Sequence, residues 1–476
     1  MNNVAFDSTQ KEKAVPITGK PEENLPAIDT GRMIDEGGWN IYQKRVLVLA
    51  TAAILLDGLD NQMLGFAMPA LITSWNISRE SFVPIVMIGL LVMSVGGVLG
   101  GLLGDRIGRR PSLIGAVGIF GLATAASAFA NTLAELAALR FISTFALGAA
   151  LPNATAIVSE FSPLRRRSLA VSISMLSVAI GGLLGGVLSA WLLPLHGWRS
   201  LFMVSGALTI SVAVTMVFML PESPRFISLR PHRHRELDRI LRSCGLALPA
   251  RYNVAVPERS EAALRKRALF VPPLLRDTIA ISTAFFCALV GNYLVFNWAP
   301  TMLTVAGYGL AVSSVGLGAY NMGGVCGALI GATLMDRLGA RRPMLAMAGL
   351  GGIFALLVGH ILSAGPQQVW FVVGAFCIQG AFVAGLQVMI FSLAVQAYPA
   401  PIRALGVGVT LSTGRLGAIA GAGAGAMIVA AGIDRFFQVV GIATIGVGAA
   451  VLIVKLRKEP PAKVRLPMAD VPPAGG

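Results

Sequence analysis

Apolar stretches long enough to cross a bilayer recur along this 476-residue chain, and basic residues crowd alternate loops between them. We read twelve spans, near 46–71, 82–103, 112–130, 133–157, 168–191, 200–220, 277–300, 312–335, 343–363, 368–395, 404–430 and 436–455. A crossing takes about 20 apolar residues for about 30 Å of hydrocarbon. Charged residues make up 13% of the chain, against about 25% in a soluble domain. The pattern predicts an all-α membrane protein of twelve transmembrane helices.

The net charge of +15 would suit a nucleic-acid partner, but its placement excludes one. Lys44 and Arg45 precede the first span, Arg106, Arg109 and Arg110 follow the second, and Arg165, Arg166 and Arg167 follow the fourth. The long middle loop is dense in arginine. Arg337, Arg341 and Arg342 follow the eighth span, and Lys455, Arg457 and Lys458 follow the last. The other loops hold only Arg79, Arg199 and Arg435. By the positive-inside rule both termini face the cytoplasm, in a multi-pass protein of the inner membrane. The N-terminus lacks a cleavable leader pattern, so the first span is expected to act as its own signal. Cys244, Cys287, Cys326 and Cys377 show no CxxC spacing and read as small buried hydrophobes. No metal-ligand set, nucleophile–base pair or cofactor loop is visible, so we expect no catalytic residues, no metal and no cofactor. The chain is not read as an enzyme.

The spans divide six and six. Residues 1–44 read as a disordered cytoplasmic tail, 45–220 as an N-terminal bundle, 221–275 as a cytoplasmic loop, 276–457 as a C-terminal bundle and 458–476 as a second tail. In the loop, Leu237, Ile240 and Leu241 make a small apolar face among arginines. That face suits a short helix on the inner leaflet, or else a solvated basic linker. The halves echo each other. Gly104-Asp105-Arg106-Ile107-Gly108-Arg109-Arg110-Pro111 follows span 2, and Met335-Asp336-Arg337-Leu338-Gly339-Ala340-Arg341-Arg342-Pro343 follows span 8. Pro163, Arg167 and Leu169 likewise match Pro399, Arg403 and Leu405. A duplicated six-span unit is how alternating-access carriers are built, with the substrate between the repeats at the midplane.

Span 1 carries Asp57-Gly58-Leu59-Asp60-Asn61 inside its apolar run. Each Asp costs about 2.5–3.5 kcal/mol at the centre of a spanning helix. Two of them one turn apart on one face are expected to serve function, although a structural hydrogen-bonding pair is the alternative. Carboxylates withdrawn from water and close to each other favour proton uptake nearer neutral pH, the switch a proton-coupled carrier needs. Arg140 falls at a similar depth to Asp60, so the two are expected to pair, either statically or as a pair that protonation releases. Arg415 lies near mid-depth in span 11 without a carboxylate in its own span. It suits a substrate carboxylate through two parallel hydrogen bonds, or else backbone carbonyls at a helix interface.

The chain resembles the major facilitator superfamily. Gly104 to Pro111 looks like its loop between spans 2 and 3, Arg140 with Gly148 like its span-4 motif, and Gly181-Gly182 with Gly185-Gly186 like its span-5 motif without the usual proline. Pro221-Glu222-Ser223-Pro224-Arg225-Phe226 also fits. Within that group it resembles the aromatic acid:proton symporter family of 4-hydroxybenzoate and protocatechuate carriers. Asp57-Gly58-Leu59-Asp60, Gly65-Phe66, Pro69-Ala70-Leu71, Leu139-Arg140-Phe141, Pro152-Asn153-Ala154-Thr155, Ser159-Glu160-Phe161 and Gly414-Arg415-Leu416-Gly417-Ala418 carry that likeness.

The resemblance implies proton-coupled import of an aromatic monocarboxylate, in a monomer whose partners are the small acid, protons and lipid. It implies proton coupling through Asp57, Asp60 and Arg140. For the ring and its hydroxyls we expect Tyr293, Asn297, Trp298, Tyr320, Asn321, Gln379, Phe382 and Gln387 beside Arg415. It further implies an inner gate of Asp105, Arg106, Arg109, Glu160, Asp336, Arg337 and Arg403, locked by charge pairs between bundles. A carrier of another organic acid or of a sugar, a drug antiporter and a non-transporting ligand sensor are the rival readings. The span-1 Asp pair counts against a sugar carrier, Arg415 against a cation antiporter, and the short tail against a sensor.

Overall fold

A computed structural model describes residues 27–246, 253–254, 274–365, 367–398 and 402–454. Helix α1 covers Ile41–Trp75, α2 Val83–Ile107, α3 Arg109–Ser127 and α4 Leu133–Phe161. A single 56-residue rod, Leu164–Met219, follows. At 1.5 Å per residue it would reach about 84 Å, far beyond one crossing. Its backbone breaks at Gly197, with φ 72° and ψ 178°, just past Pro194. The rod is therefore two passes, α5 (164–196) and α6 (198–219). The second half supplies α7 Leu274–Val305, α8 Leu310–Leu338, α9 Arg341–Ser363, α10 Val369–Ala397, α11 Arg403–Ala430 and α12 Ile433–Ile453. The chain is a twelve-helix membrane protein, six passes on either side of the middle loop.

The repeated loop motif keeps its geometry in both halves. Gly108 ends α2 at φ 119° and Gly339 ends α8 at φ 76°. That region favours glycine, so each copy needs one at the turn.

Apolar packing divides the molecule along the helix axes. At the arginine-rich end the two halves bury separate cores. One contains Val46, Phe120, Phe161 and Met216, the other Ile281, Met344, Leu393 and Val451. At the opposite end a single core joins both halves, with Leu71, Phe82 and Trp198 beside Trp298, Met302 and Leu303. The halves thus share one apolar core at one end and keep separate cores at the arginine-rich end. Small residues permit the shared packing. A Cβ at Gly65 of α1 would lie 2.2 Å from the Phe296 carbonyl oxygen of α7, and one at Gly186 of α5 would lie 2.6 Å from Gly318 Cα of α8. Such approaches let helix backbones pack where lipid supplies no hydrophobic drive.

Two sequence expectations change. Part of the tail assigned to 1–44 is ordered. Asp29 caps a helix over Thr30–Glu36 by accepting from the amides of Gly31 and Arg32, and Asp35 of that helix pairs with Arg167. Ala27–Ile28 pairs as a short parallel strand with Asn253–Val254 of the middle loop. The rest of that tail, residues 1–26, lies outside the described residues. The middle-loop helix His234–Ser243 does form, but Leu237, Ile240 and Leu241 join the core of the N-terminal half with Ile34 and Val46. Asn40 Nδ2 donates to the Ser243 carbonyl at 2.6 Å and holds it there. Protein, not lipid, covers its apolar face.

Candidate functional site

The carboxylates of α1 face different surroundings. Asp60 points into the N-terminal bundle. Its Oδ1 accepts from Arg140 Nη1 at 3.1 Å and from Thr124 Oγ1 at 2.7 Å, and its Oδ2 accepts from Ser143 Oγ at 3.0 Å. Arg140 Nη2 also donates to the Asp60 carbonyl at 3.1 Å. Both side chains are nearly inaccessible, Asp60 at 1% and Arg140 at 4%. The Phe202 ring of α6 lies 5.9 Å from the guanidinium carbon. Asp60 is thus fully matched as an anion.

Asp57, one turn earlier, is not. It is 4% exposed, and its Oδ1 is buried without a hydrogen-bond partner. It lies within electrostatic reach of Asp60 on its own helix and of Arg415 on α11, in the other half of the molecule. Arg415 is half-buried and forms no hydrogen bond or ion pair among the described residues. Gly97 of α2 leaves it room, since a Cβ there would lie 3.7 Å from both Nη atoms. Tyr293 of α7 stands in the same field, near both Asp57 and Arg415, and Asn61 Nδ2 donates to its hydroxyl at 3.5 Å. Helices α1, α2, α7 and α11 therefore bring one unpartnered carboxylate, one unpaired guanidinium and one phenol together across the seam between the halves. Asp57 and Asp60 do not share a partner: the 100° turn per residue sends Asp60 inward and leaves Asp57 and Asn61 at the seam.

An aromatic run extends from this cluster. Tyr293, Phe296 and Tyr320 stack edge to face, with centroids 5.8 and 5.9 Å apart. Tyr320 donates to Asn292 Oδ1 at 2.6 Å, and Asn292 Nδ2 to Gln387 Oε1 at 2.6 Å. Asn321 and Gln62 exchange amide hydrogen bonds of 2.8 and 3.0 Å between α8 and α1. Both amide atoms of Gln379 are buried without partners.

Other expected ring contacts lie elsewhere. Trp298 is fully buried, and its Nε1 donates to the Ala422 carbonyl at 2.7 Å, fastening α7 to α11. Phe382 packs on Phe354 of α9, 6.1 Å between centroids, inside the C-terminal bundle. Asn297 turns back to the Tyr293 carbonyl at 2.8 Å. Trp298 joins the apolar core shared by both halves, and Phe382 packs inside the C-terminal bundle. Thr124, Ser143, Gln62 and Asn292 were missed. Ser143 is i+3 from Arg140 and so stood on a face already marked; Thr124 carries no such signal.

Among the described residues, the side chains expected at the inner gate make no pair between the halves. Asp105 pairs with Arg109 of its own loop at 2.5 Å, and Arg109 also donates to Asn153 at 3.4 Å. The Arg106 carbonyl accepts from Arg230. Glu160 accepts from Ser223, while Glu222 accepts from the amides of Arg110 and Ser223 at 3.0 and 2.9 Å. All of these stay within the N-terminal half and its loop. Asp336 and Arg337 are exposed. The side chain of Arg403 lies outside the described residues. Among the described residues no ion pair joins the two halves, as follows from the parting of their cores at that end.

The sequence model of the Major Facilitator Superfamily matches residues 50–365 and 318–474. The chain is 33% identical to a gallate transporter of Pseudomonas putida over 91% of its own length and 96% of that protein. It is 35% identical to the 4-hydroxybenzoate transporter PcaK of Pseudomonas aeruginosa, over 86% of this chain and 92% of that one. Among solved structures, a D-xylose–proton symporter superposes with a TM-score of 0.68 at 19% identity, covering 87% of this chain and 98% of that one. At that identity the likeness is one of fold.

Proposed function

The chain belongs to the Major Facilitator Superfamily, and on that footing we propose that it imports a small aromatic carboxylate with protons by alternating access. Relatives named as gallate and 4-hydroxybenzoate transporters support the substrate class. The arginine-rich loops support an orientation with that end, and both termini, in the cytoplasm of an inner-membrane protein. The separate cores at the arginine-rich end support reading this as an inward-facing state.

The observation that carries the reading is the seam cluster of Asp57, Arg415 and Tyr293, with opposite charges supplied by opposite halves. Arg415 binds the substrate carboxylate through its planar fork. Tyr293, Phe296 and Tyr320 take the ring edge-on, and Asn61 and Gln387 supply amides for ring hydroxyls. Asp57 carries the transported proton. A buried carboxylate without a partner is costly as an anion and far less so when neutral. Asp60 holds Arg140 inside the N-terminal bundle. In the outward-facing state Asp105, Glu160, Asp336 and Arg403 are expected to form the inner lock.

A monoanion entering with one proton moves no net charge. Only the pH gradient drives it then, at about 1.4 kcal/mol per unit. A second proton would add about 2.3 kcal/mol per 100 mV of membrane potential. Vesicles holding the full chain are expected to accumulate labelled 4-hydroxybenzoate under an inward proton gradient and to lose that accumulation on adding a protonophore. Equal accumulation with the gradient collapsed would remove the coupling.

A further inference from the structure

Three arginines stand on the loops assigned to the outer face, and two are spent. Arg199 donates to the carbonyls of Ala128 and Ala130 and to Asn131 Oδ1, and lies 4.6 Å over the Trp198 ring. Arg435 donates to Gln438 at 2.9 Å. Arg79 is different. Its Nε meets Glu80 at 3.5 Å, with the Glu80 side chain 59% exposed, and its Nη1 is buried with no partner. It lines a cavity of about 750 Å³ between the outer end of α1 and the α7–α8 turn. That is a volume typical of small-molecule sites. Thr301 lines the same cavity, is 2% exposed and has a hydroxyl without a partner. Pro69, Ile72, Val305 and Tyr308 give it apolar walls from both halves.

We propose that this cavity is an outer vestibule site that holds an aromatic carboxylate ahead of the central site, with the Arg79 guanidinium on the carboxylate and Thr301 donating to it. Glu80 also lines the cavity, but it meets Arg79 only at the Nε edge and its side chain is mostly exposed, which leaves Nη1 without a partner. The flat apolar walls suit a ring, and a carboxylate completes the two buried polar groups that otherwise stand unmatched. The proposal rests on the aromatic carboxylate reading and adds a second binding position to it.

The test is equilibrium dialysis of labelled 4-hydroxybenzoate against the purified full chain. The wild type is expected to bind two equivalents, the outer one about tenfold or more weaker after Arg79→Gln, with the central one unchanged. Arg415→Ala is expected to do the reverse. Arg79→Lys and Thr301→Val, milder changes should Arg79→Gln not fold, are each expected to weaken only the outer equivalent. An aromatic alcohol without the carboxylate is expected not to compete for it. One equivalent in the wild type, or two unaltered equivalents after Arg79→Gln or Arg79→Lys, would overturn the vestibule while leaving transport intact. No binding at all, with no uptake, would overturn the transport reading and this one with it.

Discussion

Arg140→Met removes the guanidinium and keeps a long unbranched side chain, so it isolates the buried pair with Asp60. The structure sets the expected loss. Arg140 contributes two hydrogen bonds of 3.1 Å to Asp60, one to the carboxylate and one to the backbone. The side chains are 4% and 1% exposed. Without the guanidinium, Asp60 keeps only the hydroxyls of Thr124 and Ser143. Removing one member of a buried pair costs about 3–5 kcal/mol, because the other charge is left in low dielectric. The double variant Asp60→Asn/Arg140→Met removes both charges and is expected to regain most of that stability, since a neutral replacement of a buried pair is often near neutral. Thermal unfolding of the purified protein in detergent reads the difference. A unit of the size of the N-terminal half shifts by about 2–4 °C per kcal/mol, so the single variant should melt about 6–20 °C lower. The double variant should lie between it and the wild type, with a coupling of up to about 3 kcal/mol. Transport should be lost in both. A single variant melting within about 2 °C of the wild type, or a double variant as low as the sum of its singles, would refute the claim that Asp60 is held as a buried anion.

Asp57→Asn is expected to abolish gradient-driven accumulation while substrate exchange across the membrane persists; accumulation at the wild-type level would remove Asp57 from the coupling. Arg415→Lys keeps a charge but loses the fork, so the uptake KM should rise about tenfold, and an unchanged KM would detach Arg415 from the substrate. Gly186→Leu should hold the outer end open, because even a Cβ there meets Gly318 Cα at 2.6 Å. Labelling of a cysteine introduced at Thr301 by an impermeant reagent should then increase, and unchanged labelling would mean that α5 and α8 do not form the outer closure.

The span pattern and the positive loops made the twelve-helix arrangement legible, because hydrocarbon thickness and backbone satisfaction leave a chain like this few options. Depth along a helix was legible too: counting residues from each end set Asp60 and Arg140 level, and they meet at 3.1 Å. Direction around the helix was not. Trp298 shares α7 with Tyr293, and Phe382 shares α10 with Gln387, yet packing against Ala422 and Phe354 decides where they point. In a helix apolar all round, no hydrophobic stripe marks the buried face. The Gln62–Asn321 amide pair was half seen for the same reason: neither residue carries a charge to flag it, and the contact joins helices 259 positions apart. The ordered helix over Thr30–Glu36 escaped because its anchor, Arg167, looks in sequence like one more topogenic arginine.

If Asp57 carries the proton and Arg415 the substrate carboxylate, as proposed, neither partner should cross alone. Asp57 belongs to one half and Arg415 to the other, so their charges attract across the surface that must slide for the site to change sides. With Asp57 ionised and no substrate, the cluster is already close to neutral, and the empty carrier can return. A proton alone would leave Arg415 uncompensated between the halves. A carboxylate alone would crowd two anions, Asp57 and the substrate, around one guanidinium. Each intermediate buries an unmatched charge, which is costly in low dielectric. Proton and carboxylate together restore neutrality with Asp57 silent and Arg415 paired. On the proposed roles, coupling is a matter of which states leave no net charge in the seam, and it requires that the acid and the base stand on opposite halves.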